Sequence, residues 1–461
     1  MGILLCKIEV GVCVEFHKNH AMMIAEGIIC VFQICSMFVE GKMRTHSLFR
    51  ILLVVVLIVL ACGVLQPQVP PVEVTQIVKE TQAVTIEVTR IVQQVVVATS
   101  TSPPEITVEG ITLQFPRAHH TATRLADGRI LLVGGSLGPD EQLTTVEIYN
   151  PENEAIDQAA PLHTARHDHS ATLLQDGRVL VIGGYNRTEQ WLSDAEVYDP
   201  STNTWVVVPP LYSHGIWHTA TMMKDGRVLV IGGTISAGYG SGTERVEIFD
   251  PNTNSWTEAA PLEYKRSSHT AQLLVDGRVL VAGGAGNNDV PEGGDALIYD
   301  LRTNTWTVTE PMIQPSLLAR SVRLLDGRVL VAGGFVAGQP ISKILASVEI
   351  YDPVSDKWAA TAPLSEARYS HSLTLLPDGR VLAVDGAHEW DSVWNERSFV
   401  SRIEIYDPVE DRWDSGGDLL RPGAFAAAAL LPDGRIWVTG GQSFKDFWPY
   451  TWLVDPMLLG Q

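Results

Sequence analysis

The stretch His169-Ser-Ala-Thr-Leu-Leu-Gln-Asp176-Gly177-Arg178-Val-Leu-Val-Ile182-Gly183-Gly184 decides the fold. Its first six residues read as a strand, and Arg178 to Ile182 as a return strand that stops at the glycine pair. Asp176-Gly177 between them reads as a two-residue hairpin turn of the type that demands positive φ. The same Asp-Gly-Arg phrase with an apolar run behind it begins at Asp127, Asp176, Asp225, Asp276, Asp326, Asp378 and Asp433. The intervals are 49, 49, 51, 50, 52 and 55 residues. A period of that size marks a repeat architecture rather than a string of separate domains.

Outward from this hairpin, Ala195-Glu-Val-Tyr198 reads as a third strand that Asp199-Pro200 ends. Thr202-Asn203 turns the chain into a fourth, Trp205-Val-Val-Val208. Four antiparallel strands with one glycine mark and one set of aromatic marks per unit are the pattern of a propeller blade. The glycine pair recurs at Gly134-Gly135, Gly232-Gly233, Gly283-Gly284, Gly333-Gly334 and Gly440-Gly441. Third-strand aromatics stand at Tyr149, Tyr198, Phe249, Tyr299, Tyr351 and Tyr406, and fourth-strand tryptophans at Trp205, Trp256, Trp306, Trp358 and Trp413. Strands that exit at Gly-Gly allow close backbone approach, and the aromatics supply area for packing sheet on sheet.

These marks resemble the kelch repeat, and the resemblance covers residues 105–461. It implies an all-β fold, a seven-bladed kelch-type β-propeller of four-stranded blades related to the galactose oxidase-like propellers. The register also predicts how the ring closes. Ile106 to Leu113 falls in fourth-strand register with no blade before it, while the last repeat ends at Gln461 after three strands. The N-terminal strand is therefore expected to complete the last blade and remove the free edges.

Ahead of the array, residues 43–62 read as a lipoprotein signal peptide. Arg44 and Arg50 precede the apolar run Ile51 to Ala61, which is short for a membrane span, and Val59-Leu-Ala-Cys62 resembles a bacterial lipobox. The resemblance implies acylation of Cys62 and export of everything after it, so the expected location is the cell envelope, on the extracytoplasmic side. The competing reading is an uncleaved anchor. Residues 1–42 read as an over-extended N-terminus, because Met43 begins a complete signal by itself. Residues 63–104 read as a linker, and Val74, Ile77, Thr81, Val84, Val88, Ile91 and Val95 fall on heptad spacing. A short coiled-coil stalk at 73–98 that makes an oligomer and an extended tether both remain open, since β-branched residues are poor helix formers.

Composition narrows the partners. A net charge of −20 argues against nucleic acid, which needs clustered Lys and Arg. The five cysteines, Cys6, Cys13, Cys30, Cys35 and Cys62, all precede the array. The propeller therefore has no thiolate ligand, and no metal or other cofactor is expected.

Arg117, Arg166, Arg266 and Arg368, with His120, His169, His218, His269 and His371, recur at fixed offsets from the turn. They read either as a basic ring at a channel mouth or as structural residues, and recurrence favours structure. Departures from the repeat are better site candidates. In the sixth repeat Asp385 replaces a glycine, and a long loop follows with His388, Glu389, Trp390, Asp391, Trp394, Glu396 and Arg397. The seventh repeat offers Phe447, Trp448 and Tyr450 on the equivalent connection. Together these residues are the candidate ligand site, a concave aromatic surface with carboxylates for sugar or peptide. The competing reading has the aromatics covering the closure seam.

The expected function is a membrane-anchored scaffold that binds carbohydrate or protein, without assigned catalytic residues. The alternative is a carbohydrate-active enzyme such as a sugar-acid isomerase. The resemblance also includes copper radical oxidases, which need a cysteine crosslinked to a tyrosine; the cysteine-free propeller disfavours that chemistry. The export signal disfavours an intracellular adaptor.

Overall fold

The structure is a computed structural model. It describes residues 111–138, 140–212, 215–236, 242–286, 295–337, 342–389, 398–443 and 446–456. The signal, Cys62 and the 63–104 linker lie outside the described residues. The propeller itself falls within one compact unit, Ser100–Gln461.

Blade 2 shows how sequence becomes sheet. Ser170–Leu173, Val179–Ile182, Ala195–Asp199 and Thr204–Val208 pair antiparallel in that order from the inside outward. Val179 lies opposite Tyr198, and Tyr198 opposite Trp205. The second strand of every blade is buried along its whole length, which is why these strands read as unbroken apolar runs.

The core consists of inter-blade layers. Leu131, Val133 and Ile148 of blade 1 meet Val179, Val181 and Tyr198 of blade 2, and comparable clusters fill each following junction. The closing junction is packed in the same way. Leu113, Ile130, Leu132 and Tyr149 meet Leu431 and Trp437, with Tyr149 stacked on Trp437 at 4.1 Å. Inner strands neighbour one another all the way round, and Thr121–Arg124 also meets Ala427–Leu430.

Among the described residues blade 7 has three strands of its own, Ala427–Leu430, Ile436–Thr439 and Thr451–Val454. The N-terminal segment covers its outer edge. Thr112 bridges Tyr450 antiparallel, Leu113 N–H donates to Pro449 O at 2.7 Å, and Thr451 Oγ1 donates to Ile111 O at 3.0 Å. The expected closure is therefore present in the described part of that strand.

The Asp-Gly-Arg turn differs from its sequence reading. Gly177 N–H donates to Leu174 O at 3.0 Å, and Leu174 N–H to Arg178 O at 2.7 Å. Positive φ falls on Gly177, at 89°, and not on Asp176. The loop is thus one residue longer than a two-residue turn and carries its glycine at a bulge. Asp176 instead braces the return strand, since its carboxylate accepts from Arg178 N–H at 3.0 Å and Arg178 Nε at 2.8 Å.

The Tyr–Trp marks also do more than supply apolar area. Trp205 Nε1 donates to Ala160 O of the preceding blade at 2.7 Å. Tyr198 hydroxyl donates to Asn203 Oδ1, which also accepts Ala160 N–H. Together they staple the outer strand to its neighbour.

Candidate functional site

The recurring arginines are interior ties. Arg166 is fully buried and donates to Gly183 O at 2.7 Å, Asp194 Oδ2 at 2.7 Å and Glu196 Oε1 at 3.0 Å. Glu196 in turn accepts His163 and Thr164 N–H. Arg117 pairs with Glu147 and Arg368 with Glu404 in the same way. Their guanidinium groups are committed within the blades, so they form no basic ring.

The recurring histidines tie blade to blade. Nε2 of His169, His218 and His269 is hydrogen-bonded to Thr121, Ser170 and Thr219 on the previous inner strand, at 3.0, 2.8 and 2.8 Å. Burial pushes His169 down to about 3, with Arg166 adding to the effect. Burial likewise lowers His120, His269 and His371, with the Arg117, Arg266 and Arg368 charges contributing.

One position earlier, the chain does something the sequence reading did not anticipate. His119, Asp168, Trp217, Ser268, Leu318, Ser370 and Phe425, one per blade, all have positive φ between 51° and 62°. Backbone bonds link several around the axis. Asp168 N–H donates to His119 O at 3.0 Å, His119 N–H to Phe425 O at 3.0 Å, and Leu318 N–H to Ser268 O at 2.9 Å. The turn at each position aims a side chain at the channel mouth, where they surround a cavity of about 450 Å³. Left-handed backbone is costly for residues other than glycine, and such positions cluster at functional sites. The ring itself is a demand of every blade, while the side chain it presents changes from blade to blade.

The chemistry concentrates on blades 7, 1 and 2. Phe425 stacks on His119 at 3.9 Å. His119 Nδ1 is 2.8 Å from Asp168 Oδ1, and His167 Nδ1 is 2.9 Å from Asp168 Oδ2. Tyr185 lies 5.5 Å from the His167 ring, and Trp191 5.6 Å from Tyr185. Burial alone would raise the Asp168 carboxyl. The His119 charge and the hydrogen bonds from His119 and His167 outweigh it and hold the group far below the usual carboxylate range. Arg320 of blade 5 lines the same cavity.

The expected loop site is placed differently. Asp385 is buried, with its carboxylate accepting Ala426 N–H at 3.1 Å, and burial pushes it up to about 6. It ties blade 6 to blade 7 where the other blades use a glycine. His388 is half-buried and its N–H donates to Ser398 O; Glu389 accepts the Ser398 hydroxyl at 3.0 Å. Trp390, Asp391, Trp394, Glu396 and Arg397 lie outside the described residues. Trp448 follows the competing seam reading: it is 6% exposed, inside the core between blades 6 and 7, edge-on to Trp452. Gly423 leaves the room, since a Cβ there would stand 2.5 Å from the Trp448 ring. Phe447 is half-buried beside a bridge to Gln442, and Tyr450 is half-buried under the Arg421 guanidinium at 4.3 Å. Trp448 therefore packs the seam instead of joining an open aromatic surface.

The missed signal lay beside the recurring histidine, which Ala319 and Ala426 replace in two blades. The triplets Ala118-His-His120, His167-Asp-His169, Ile216-Trp-His218, Ser267-Ser-His269, Leu317-Leu-Ala319, Tyr369-Ser-His371 and Ala424-Phe-Ala426 vary at their first and middle residues alike, six residue types at each, so only the backbone conformation marks the middle one out.

Comparison with known proteins agrees with this architecture. The Attractin/LZTR1 beta-propeller family model matches residues 93–345, just over half of the chain. Kelch-like protein 36 of Bos taurus is 25% identical over 246 residues, 43% of this chain and 39% of that protein. Kelch-like protein 25 of Xenopus tropicalis is 32% identical over 99 residues, 22% of this chain and 15% of that protein. The chain thus spans well under half the length of these relatives. Among solved structures, a fungal alcohol oxidase in complex with copper superposes with a TM-score of 0.62 at 20% identity, covering 75% of this chain and 76% of that one. That likeness is one of fold. With no cysteine after residue 62, the propeller does not fit a copper site built on a cysteine–tyrosine crosslink.

Proposed function

This chain belongs to the Attractin/LZTR1 beta-propeller family, and on that premise we propose that it is an envelope-anchored module that binds a protein ligand at its channel mouth. Anchoring is assigned to Cys62, on the lipobox-like Val59-Leu-Ala-Cys62. One observation carries the mouth: seven equivalent left-handed positions present seven side chains drawn from six residue types to one cavity. Positions under identical structural demands would converge on one small or flexible residue; instead they hold a sequence-specific set. A cavity of about 450 Å³ suits one or two side chains of an inserted loop, within the range of roughly 300–1,000 Å³ for ligand sites. The half-buried rings of Trp217 and Phe425 also suit a sugar face, which supports a carbohydrate ligand as the second reading.

A displayed peptide library selected on the full chain, alongside an oligosaccharide thermal-shift panel, tests both. Selected peptides should bind Trp217→Ala about tenfold or more weakly, the scale of a hot-spot residue. Undiminished binding to Trp217→Ala and Phe425→Ala, with loss on Leu325→Asp at the opposite end of the channel, would move the ligand away from the mouth. Sugar-specific shifts without peptide binders would select the second reading. Fatty-acid labelling that survives Cys62→Ser would remove the anchor.

A further inference from the structure

We propose that His119, His167 and Asp168 form a binding site for one divalent transition-metal ion of the zinc class at the channel mouth. Such an ion site is separate from binding of the proposed ligand and would stand whatever that ligand is. One ligand atom from each of the three residues falls within 4.8 Å of the others. Both imidazoles present Nδ1 to the same carboxylate, one to each oxygen. Their ring centroids are 5.4 Å apart at an interplanar angle of 62°, so the two nitrogens converge without the rings clashing. Zinc takes His nitrogen and carboxylate oxygen at about 2.0–2.2 Å, which requires only a small opening of these contacts. Two histidines and one carboxylate with free positions suit zinc, cobalt or iron better than calcium or magnesium.

Three further features favour a ligand set over a chance cluster. Blade architecture does not require it, because the equivalents of His119 and Asp168 elsewhere are Trp217, Ser268, Leu318, Ser370 and Phe425. The left-handed position that every blade shares places His119 and Asp168 side by side across the junction of blades 1 and 2, Nδ1 to Oδ1 at 2.8 Å. The residues are also accessible, with side chains 16%, 18% and 23% exposed for His119, His167 and Asp168. His119 and Asp168 line the cavity, so a metal held by three protein ligands keeps open positions toward whatever enters it. Phe425 stacked on His119 and Tyr185 beside His167 fix the rings.

The test uses the full chain in detergent, with cysteines alkylated, stripped by chelator and titrated with Co²⁺ and then Zn²⁺. One equivalent of Co²⁺ should bind with visible absorption of a low-coordinate nitrogen–oxygen site, and Zn²⁺ should displace it. Asp168→Asn keeps the shape and tolerates positive φ. It and His167→Gln should each weaken binding about tenfold or more, at least the loss seen for outer-shell partners. In the unaltered chain Zn²⁺ should protect His119 and His167 from diethyl pyrocarbonate while exposed His163 still reacts, a readout that needs no variant to fold. Absence of stoichiometric Co²⁺ binding, equal affinity in both variants, or no protection of His119 and His167 overturns the site.

Discussion

The two ends of each inner strand meet different demands. At one end, seven Asp-Gly-Arg hairpins are nearly interchangeable: each carboxylate caps its own arginine, and each glycine takes φ near 90°. At the other, seven left-handed residues share a backbone conformation and little else. Repetition identifies what a blade needs in order to be a blade. Variation at a fixed backbone position identifies what the assembled ring offers to something outside it. Kept residues should therefore govern stability, and varied ones should govern binding.

The largest test of that division is acid. Burial depresses His120, His169, His269 and His371 below the unfolded value of 6.5, His169 to about 3. Unfolding lets them take up protons, so their stabilisation is present above pH 6.5 and is lost as pH falls below it. Each contributes a slope approaching about 1.4 kcal/mol per pH unit. Urea melts between pH 7 and 4.5 should show it; a flat profile would mean that these kept positions are not stability determinants.

Next in size is Arg166→Ala, which strands Glu196 without its buried partner. A loss of about 3–5 kcal/mol is expected for such a broken pair. Ser268→Ala, at a varied mouth position, removes a buried hydroxyl that has no hydrogen-bond partner among the described residues, so it should cost less than about 1 kcal/mol. Equal losses in denaturant melts would erase the distinction between the two sets.

Asp385 sharpens the comparison because it departs from a kept position. Its carboxyl is raised to about 6, so protonated Asp385 is favoured in the fold. That contribution is present below pH 3.8 and lost as pH rises through about 6. Asp385→Asn should stabilise the protein at pH 7 by up to about 3 kcal/mol, taking roughly 1.4 kcal/mol for each pH unit by which burial displaces the carboxyl. No gain in melting temperature at pH 7 would show that the ionised carboxylate is compensated by its backbone donors.

The smallest effect concerns blade 5. Arg320 stands where blades 1 to 4 have a hydroxyl at the start of the inner strand, and neither ring nitrogen of His371 has a hydrogen-bond partner among the described residues. Arg320 Nε donates instead to His371 O at 3.0 Å. Arg320→Thr should restore the tie and gain about 1 kcal/mol, the net worth of a buried hydrogen bond. A loss of stability would assign Arg320 a structural role that its place in the cavity does not suggest.

Much of the fold was legible because it is written seven times. The burial of the second strands, the Gly-Gly exits and the N-terminal closure all follow from register. At Gly183 a Cβ would stand 2.4 Å from Gly215 O, so the glycine could be read as a close approach before the neighbour was known. The site was read less well. Trp448 could be read as an open loop aromatic or as a cover for the closure seam, since nothing local distinguishes an aromatic that faces solvent from one that another blade covers; it fills the seam above Gly423. Asp385 was correctly singled out as a departure, yet its carboxylate is engaged by Ala426 N–H.

The sequence by itself determined the blade, the number of blades and the way the ring closes. Those properties come from short-range periodicity, in which each turn and strand is specified by its own residues. Only the tertiary structure decided which residues meet at the axis. His119 and Asp168 are one repeat apart, 49 residues, and come within 2.8 Å because ring closure and a left-handed turn in each blade point them inward together. That convergence depends on the angle between adjacent blades, a product of inter-blade packing that no single repeat encodes.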